Sequence, residues 1–117
     1  MAYDEDLADR IRECLSGQRG ITEKKMFGGL AFLVNGNMAI AASGRGGLMV
    51  RVDPDAGEKL LSRKGVEPMV MRGRELAGWL RVEDGVIRTR RQLAEWVGRG
   101  ADYSRSLPPK QPAAKRK

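Results

Sequence analysis

Apolar residues recur with a helical period near both ends of the chain, and they crowd together in a strand-like pattern between the two. After Asp4, which can cap a helix, apolar side chains stand at i, i+4, i+7 and i+8, the spacing of one helix face. After Thr89, whose capping box with Gln92 marks another helix start, apolar residues again share one face. The residues on these faces are Leu7, Ile11, Cys14 and Leu15 in the first helix and Leu93, Trp96, Val97 and Ala101 in the last.

The central part of the chain predicts a β-hairpin. Residues 23–34 are rich in apolar and aromatic side chains, and Asn35 and Gly36 follow them. Asn-Gly is the strongest short-range signal for a two-residue type I′ turn, so residues 37–42 should return antiparallel. Such a turn predicts these cross-strand pairs: Leu33 with Met38, Ala31 with Ile40, and Gly29 with Ala42.

Turn and cap residues divide the rest of the chain. Residues 43–47 form a glycine-rich turn before a third strand at 48–52. The pair Asp53-Pro54 begins a short helix. Proline suits the first helical position, because the amide hydrogen that it lacks would have no hydrogen-bond partner within the helix there. Two further strands are predicted at 68–71 and 79–83, joined by a loop. The predicted order is α-β-β-β-α-β-β-α, an α+β fold with a five-stranded antiparallel sheet and three helices.

The predicted hairpin is apolar on both of its faces, so neither face should be open to water. The helices can cover one face and part of the other. Any remainder favours a homodimer interface or a ligand groove, because large contiguous apolar patches are unusual on monomeric proteins. Gly28 and Gly29 are expected to bulge the strand or to make room for a packed helix.

Charge is distributed unevenly along the 117 residues, a length that suits one compact domain. The net charge is +7, and residues 108–117 contribute +4 of it with no acidic residue. This segment also holds three of the five prolines and no large apolar side chain, so burial cannot offset its ordering entropy. We predict one domain over residues 1–107 and a disordered basic tail over residues 108–117.

The residue types limit the chemistry that the chain can perform. It has no histidine and a single cysteine, Cys14, which excludes histidine-based nucleophile activation, disulfides within the chain and multi-cysteine metal sites. Neither a signal peptide nor a membrane-spanning apolar stretch is evident, which favours the cytoplasm. We therefore expect a protein that is not an enzyme and that uses no metal or other cofactor.

Adjacent lysines stand out within the apolar hairpin. Because neighbouring strand residues point to opposite faces, Lys24 should share a face with Met26, and Lys25 should point the other way with Phe27. In one interpretation both lysines only reach water at the sheet edge. In the other, one of them joins Arg51 in contacting an anion or an acidic partner. The candidate anion or partner contacts are Lys24, Lys25, Arg51, Arg72 and Arg74.

The C-terminal half is rich in arginine, whose guanidinium group suits phosphate geometry. Acidic residues are interspersed, however, and neither a helix-turn-helix signature nor a base-stacking aromatic surface is visible. A solvated surface with a solubilising tail explains the same residues. The candidate nucleic-acid contacts are Arg88, Arg90, Arg91, Lys110, Lys115, Arg116 and Lys117.

Five segments form a specific combination, although each is weak alone. They are Lys24–Gly29, the Asn35-Gly36 turn, Leu48–Arg51, Met71–Arg74 and Gly78-Trp79. Together they resemble the N-terminal domain of the TfoX/Sxy competence-regulator family, over about residues 3–107. The resemblance implies a small α+β domain of the secretion-chaperone-like type. It also implies a link to the regulation of DNA-uptake genes, and it supplies no catalytic residues.

These observations favour a non-enzymatic regulatory or interaction domain. A protein partner is expected, and a homodimer is possible because of the two-faced hairpin. The alternative is a nucleic-acid-binding protein that uses the arginine-rich half and the basic tail.

Overall fold

The computed structural model describes residues 3–26 and 28–109. These residues form the helices α1 (Glu5–Leu15), α2 (Pro54–Leu60) and α3 (Arg90–Ser106). They also form the strands β1 (Ile21–Met26), β2 (Gly29–Val34), β3 (Asn37–Ala42), β4 (Leu48–Arg51), β5 (Val66–Met71) and β6 (Arg74–Val82). A 3-10 turn at Asp84–Val86 precedes α3. The predicted α+β class with three helices is confirmed.

The strands form one antiparallel sheet in the order β1-β2-β3-β4-β6-β5. The prediction of five strands is wrong, because residues 23–34 are not one strand. The run reverses at Gly28, whose φ of +74° is a conformation that glycine adopts without steric cost. As a result, β1 and β2 pair as a hairpin with Met26 opposite Gly29. The sheet therefore has six strands.

A β-bulge changes the register of the hairpin that β2 and β3 form. The observed pairs include Leu33 with Met38, Ala31 with Ala41, and Leu30 with Ala42. Only the first agrees with the predicted register, because β3 has one extra residue, Ala39, where the register shifts. Ala39 and Ile40 both belong to the core beneath the helices. The bulge therefore moves the rest of β3 by one residue relative to the prediction.

The helices begin where their caps predict. The carboxylates of Asp4 and Asp53 each accept a hydrogen bond from the backbone amide three residues further on. Thr89 and Gln92 exchange the two hydrogen bonds of a capping box at the start of α3. At the other hairpin, the predicted loop is largely strand, since β6 begins at Arg74.

One face of the sheet packs against the helices. The main apolar core combines residues of all three helices with the inward-facing residues of the sheet. Trp96 and Phe32 are the largest side chains buried in it. Helix α3 approaches the sheet closely at Gly100, where an added Cβ would lie 2.6 Å from the carbonyl oxygen of Ala39. Helix α3 thus packs directly over the bulge in β3.

Candidate interaction face

The other face of the sheet carries a second apolar cluster to which no described helix contributes. We call this surface the open face. Its cluster consists of the buried residues Ala31, Ala41 and Met49 and the half-buried residues Met26, Leu33, Met38 and Met69. Ala31 is fully buried although no helix lies over it, because longer neighbouring side chains close over the short alanines. The prediction that apolar residues line both faces of the hairpin is confirmed, and the helices cover only one.

Strand register extends the open face across the sheet. One row of directly paired residues runs through all six strands: Lys24, Ala31, Ala41, Met49, Arg81 and Glu67. Directly paired residues in a sheet share a face, so charged side chains stand at both ends of the apolar centre. Lys24 lies on the edge strand β1 and is exposed. The expectation that Lys24 shares a face with Met26 agrees with this register.

Arg51 lies at the margin of the open face, where β4 ends. It pairs with Trp79 on the neighbouring strand. Because side chains alternate between the two faces of a strand, both residues point away from the face that carries their core neighbours Val50 and Leu80. The guanidinium carbon of Arg51 is 5.6 Å from the ring centroid of Trp79 and 5.9 Å from that of Tyr103. Both distances fall within the range of cation–π attraction, so the aromatic rings hold the arginine in place. Because Tyr103 belongs to α3, the guanidinium group of Arg51 lies at the end of the sheet, between the helix layer and the open face.

Cations lie on both sides of the apolar centre of the open face. Arg81 donates hydrogen bonds to the hydroxyl of Ser43 at 3.2 Å and to the carbonyl of Gly46 at 3.3 Å. Within the described ranges, Lys24, Arg51 and Arg81 form no ion pair with a carboxylate. Glu67 stands beside Arg81 and offsets part of its charge. Glu83 and Asp84 also line the cavity that contains Arg81 and Glu67, so acidic side chains offset the charge of Arg81, and Lys24 and Arg51 are the cations at the two sides of the apolar centre.

The structure does not bring the predicted anion contacts together. Lys24 and Arg51 lie three strands apart on the open face, which is about 14 Å at the usual strand spacing. Lys25 pairs with Leu30 of the main core, so it is on the opposite face, and Phe27 lies outside the described residues. Arg72 and Arg74 are exposed at the hairpin of β5 and β6. A single small anion cannot span Lys24 and Arg51, although a larger partner can.

The candidate nucleic-acid contacts are located in the helix layer. Arg88, Arg90 and Arg91 are exposed where α3 begins. Arg90 comes within 3.9 Å of the carboxylate of Glu13 on α1. Residues 110–117, with all four tail cations, lie outside the described residues.

A network that the sequence patterns did not predict surrounds Trp96. The guanidinium carbons of Arg63 and Arg99 lie 5.0 Å and 5.6 Å from its ring centroid. Both arginines also bind Glu95, at 2.6 Å and 2.9 Å. Hydrogen bonds from Arg63 and then Arg99 lower the pKa of Glu95 to about 2. These contacts cover the outer side of the core at Trp96, so we assign them a role in stability.

Asp84 and Cys14 also have structural explanations. Asp84 accepts a hydrogen bond from the amide of Gly47 at 3.1 Å and so closes the turn before β4. Burial raises the pKa of the Cys14 thiol, which disfavours the thiolate.

Among the described residues, no cluster of three or more potential ligands is arranged for a metal ion. In the same part of the chain, no helix is long and apolar enough to cross a membrane.

Fold and face together define a class of protein: a small α+β domain with helices on one side of an antiparallel sheet and an apolar, cation-flanked face on the other. The model of the TfoX N-terminal domain family matches residues 13–103. The chain belongs to this family, as the resemblance predicted. No curated protein and no solved structure matches the chain significantly.

Most residues of the open face escaped the predictions. Lys24 and Arg51 were identified as candidate contacts, whereas Met49, Arg81 and Trp79 were not. One sequence signal could have indicated this surface. The chain has six methionines, and several of them alternate along a strand with core residues, so they point to the face away from the core. Strand pairing is needed to show that these residues form one surface.

Proposed function

We propose that this chain is a cytoplasmic, non-enzymatic regulatory domain that binds a protein partner through the open face. Membership of the TfoX N-terminal domain family supports a regulatory role. The observation that carries the proposal is the apolar cluster of Met26, Leu33, Met38, Met69 and the residues beneath them, over which no described helix packs.

The composition of this face suits protein binding. Methionine side chains are flexible and polarisable, so they adapt to apolar partners of different shape. Trp79, Tyr103 and Arg51 at the margin are of the residue types that contribute most to binding energy at interfaces. The polar groups of the face are few and lie at its edges, which is the usual arrangement of an apolar interface centre with a polar rim.

Replacing Leu33 by threonine should reduce partner binding by about tenfold or more. Threonine is β-branched and therefore suits a strand, but it removes apolar area worth about 1.5 kcal/mol or more at an interface. The measurement is recovery of the bound protein from nuclease-treated cytoplasmic extract, with the tagged chain as bait.

Val70→Thr is the matched control, because Val70 is 57% exposed and belongs to neither apolar cluster. It should leave recovery unchanged. Equal recovery with both variants would contradict the open face as the binding surface. Loss of the partner from every sample on nuclease treatment would show that nucleic acid bridges it.

A second candidate function is nucleic-acid binding by the helix layer and the tail. The exposed group of Arg88, Arg90 and Arg91 at the start of α3 favours it, since the positive end of a helix attracts phosphate. We propose that the tail adds to this contact.

Removing residues 108–117 should then weaken binding to duplex DNA and flatten its salt dependence. Four cations account for a share of about −3.6 in the slope of log K against log salt. Fluorescence anisotropy with a labelled duplex measures the slope. A chain of full length with the four tail cations replaced by glutamine is the control for length and should behave like the truncated chain. Unchanged affinity would remove the tail from this function.

A further inference from the structure

We propose that the partner segment bound by the open face is an amphipathic α-helix with acidic residues at both ends of its apolar side. This inference rests on the proposed function and names the chemistry of the partner. It follows from the backbone requirements of a segment that lies on a sheet face, from the positions of the cations and from the total charge.

The backbone argument selects a helix. A segment that lies on the open face crosses the middle of the sheet, where every described strand between the edges already pairs on both sides. The sheet backbone therefore has no free hydrogen-bonding groups for an added strand there. Buried backbone amides and carbonyls need partners, and a helix satisfies them within itself. An extended segment would have to bind at an edge instead.

The cation positions select acidic ends. Lys24 flanks the apolar centre on β1, whereas Arg51 and Arg81 flank it on β4 and β6. Three to four strand spacings separate the two sides, which is about 14–19 Å. At 1.5 Å per residue, a helix spans this distance in about 10–13 residues. Carboxylates at the two ends of such a helix would meet a cation on each side.

The arginines are prepared for this contact. Trp79 and Tyr103 hold Arg51 by cation–π contacts, and Ser43 and Gly46 hold Arg81 by hydrogen bonds. Side chains that are already ordered lose less conformational entropy on binding. The guanidinium group of Arg51 can donate two parallel hydrogen bonds to one carboxylate.

Charge also argues against two other candidates for the open face, a second copy of the chain and the chain's own C-terminal tail. A second copy would bring the same cations, Lys24 and Arg51, onto this face, and the full chain carries +7. The tail of residues 108–117 has four cations and no large apolar side chain, so it matches neither the charge nor the apolar centre. An acidic amphipathic segment matches both.

Synthetic helical peptides test the inference directly. One peptide of about 16 residues carries leucine and alanine on one helix face and glutamate at both ends of that face. A second peptide has lysine in place of each glutamate, and a third keeps the glutamates but has glutamine in place of each leucine. Binding of each to the full chain is measured by fluorescence anisotropy at low and at physiological salt. The first peptide should bind about tenfold more tightly than the second, and the third should show no measurable binding.

Variants of the chain assign the preference to the open face. The double variant Lys24→Gln with Arg51→Gln should lower the acidic preference from about tenfold to about threefold or less. Lys25→Gln with Arg91→Gln removes the same charge from positions off the open face, one on the helix side of β1 and one on α3, and should keep the preference for the acidic peptide. Equal loss in both double variants would mean that net charge alone sets the preference.

The outcomes separate this inference from the proposed function. Equal binding of the first two peptides, or no binding of either, overturns the acidic helix even if Leu33→Thr still loses the partner in extract. Sedimentation showing a dimer that Leu33→Thr dissociates assigns the face to a second copy and overturns the inference as well. If Leu33→Thr retains the partner, the proposed function itself fails.

Discussion

Replacing Trp96 by alanine should lower the free energy of unfolding by about 3–5 kcal/mol, the usual cost of deleting a buried aromatic side chain. Trp96 is only 1% exposed and is the largest side chain in the core. Its removal leaves a cavity and also deprives Arg63 and Arg99 of the ring on which they lie. Urea denaturation followed by circular dichroism measures the loss.

The second tryptophan provides a matched control. Trp79 is half-buried at the margin of the open face, so Trp79→Ala removes less buried area and should cost roughly half as much or less. The same variant should weaken partner binding, because Trp79 supports Arg51 there. Equal losses of stability in the two variants would contradict the assignment of Trp96 to the core and Trp79 to the margin.

Replacing Gly100 by alanine should destabilise the protein by about 1–3 kcal/mol, although alanine is the better helix former. The added Cβ would lie 2.6 Å from the carbonyl oxygen of Ala39 and 2.9 Å from Cγ1 of Ile40. The backbone oxygen cannot move without disturbing β3, so α3 must shift away from the sheet. Urea denaturation again gives the change in the free energy of unfolding.

Gly98 tests the explanation on the same helix. An added Cβ at Gly98 meets no atom within 4 Å, so Gly98→Ala should instead stabilise the protein by up to about 1 kcal/mol through helix propensity. The opposite signs of the two changes are the expected result. If Gly100→Ala also stabilises the protein, α3 does not approach the β-bulge as closely as the structure shows.

The helices could be predicted from the sequence because their signals are local. Asp4, Asp53 and Thr89 each bond a backbone amide within three residues, and the apolar period of α3 marks its buried side. Such signals require no knowledge of distant parts of the chain.

The sheet was harder to predict because its strands are apolar on both faces. Without alternation, the pattern from residue 23 to residue 34 does not show where the chain reverses, and the turn at Gly28 was missed. The bulge at Ala39 is likewise not visible in the sequence pattern, because it lies where β3 packs closely beneath α3 at Gly100.

The candidate site was predicted only in part, for a related reason. Lys24 and Arg51 attract notice as charges in apolar segments, and the hairpin pattern indicates an apolar second face. Met49, Arg81 and Glu67 come from separate segments, and only strand pairing joins them to Lys24 in one row. Residues this far apart in sequence carry no local sign of their proximity.

By itself, the sequence determined the helix positions and their caps, the α+β class, the family and the absence of histidine chemistry. The tertiary structure alone decided the number of strands, the register beyond the bulge and the side of the sheet that the helices cover. The physical reason is the range of the interactions. Caps and helix faces arise between residues a few positions apart, whereas strand pairing and helix packing join distant segments and leave the open face uncovered by any described helix.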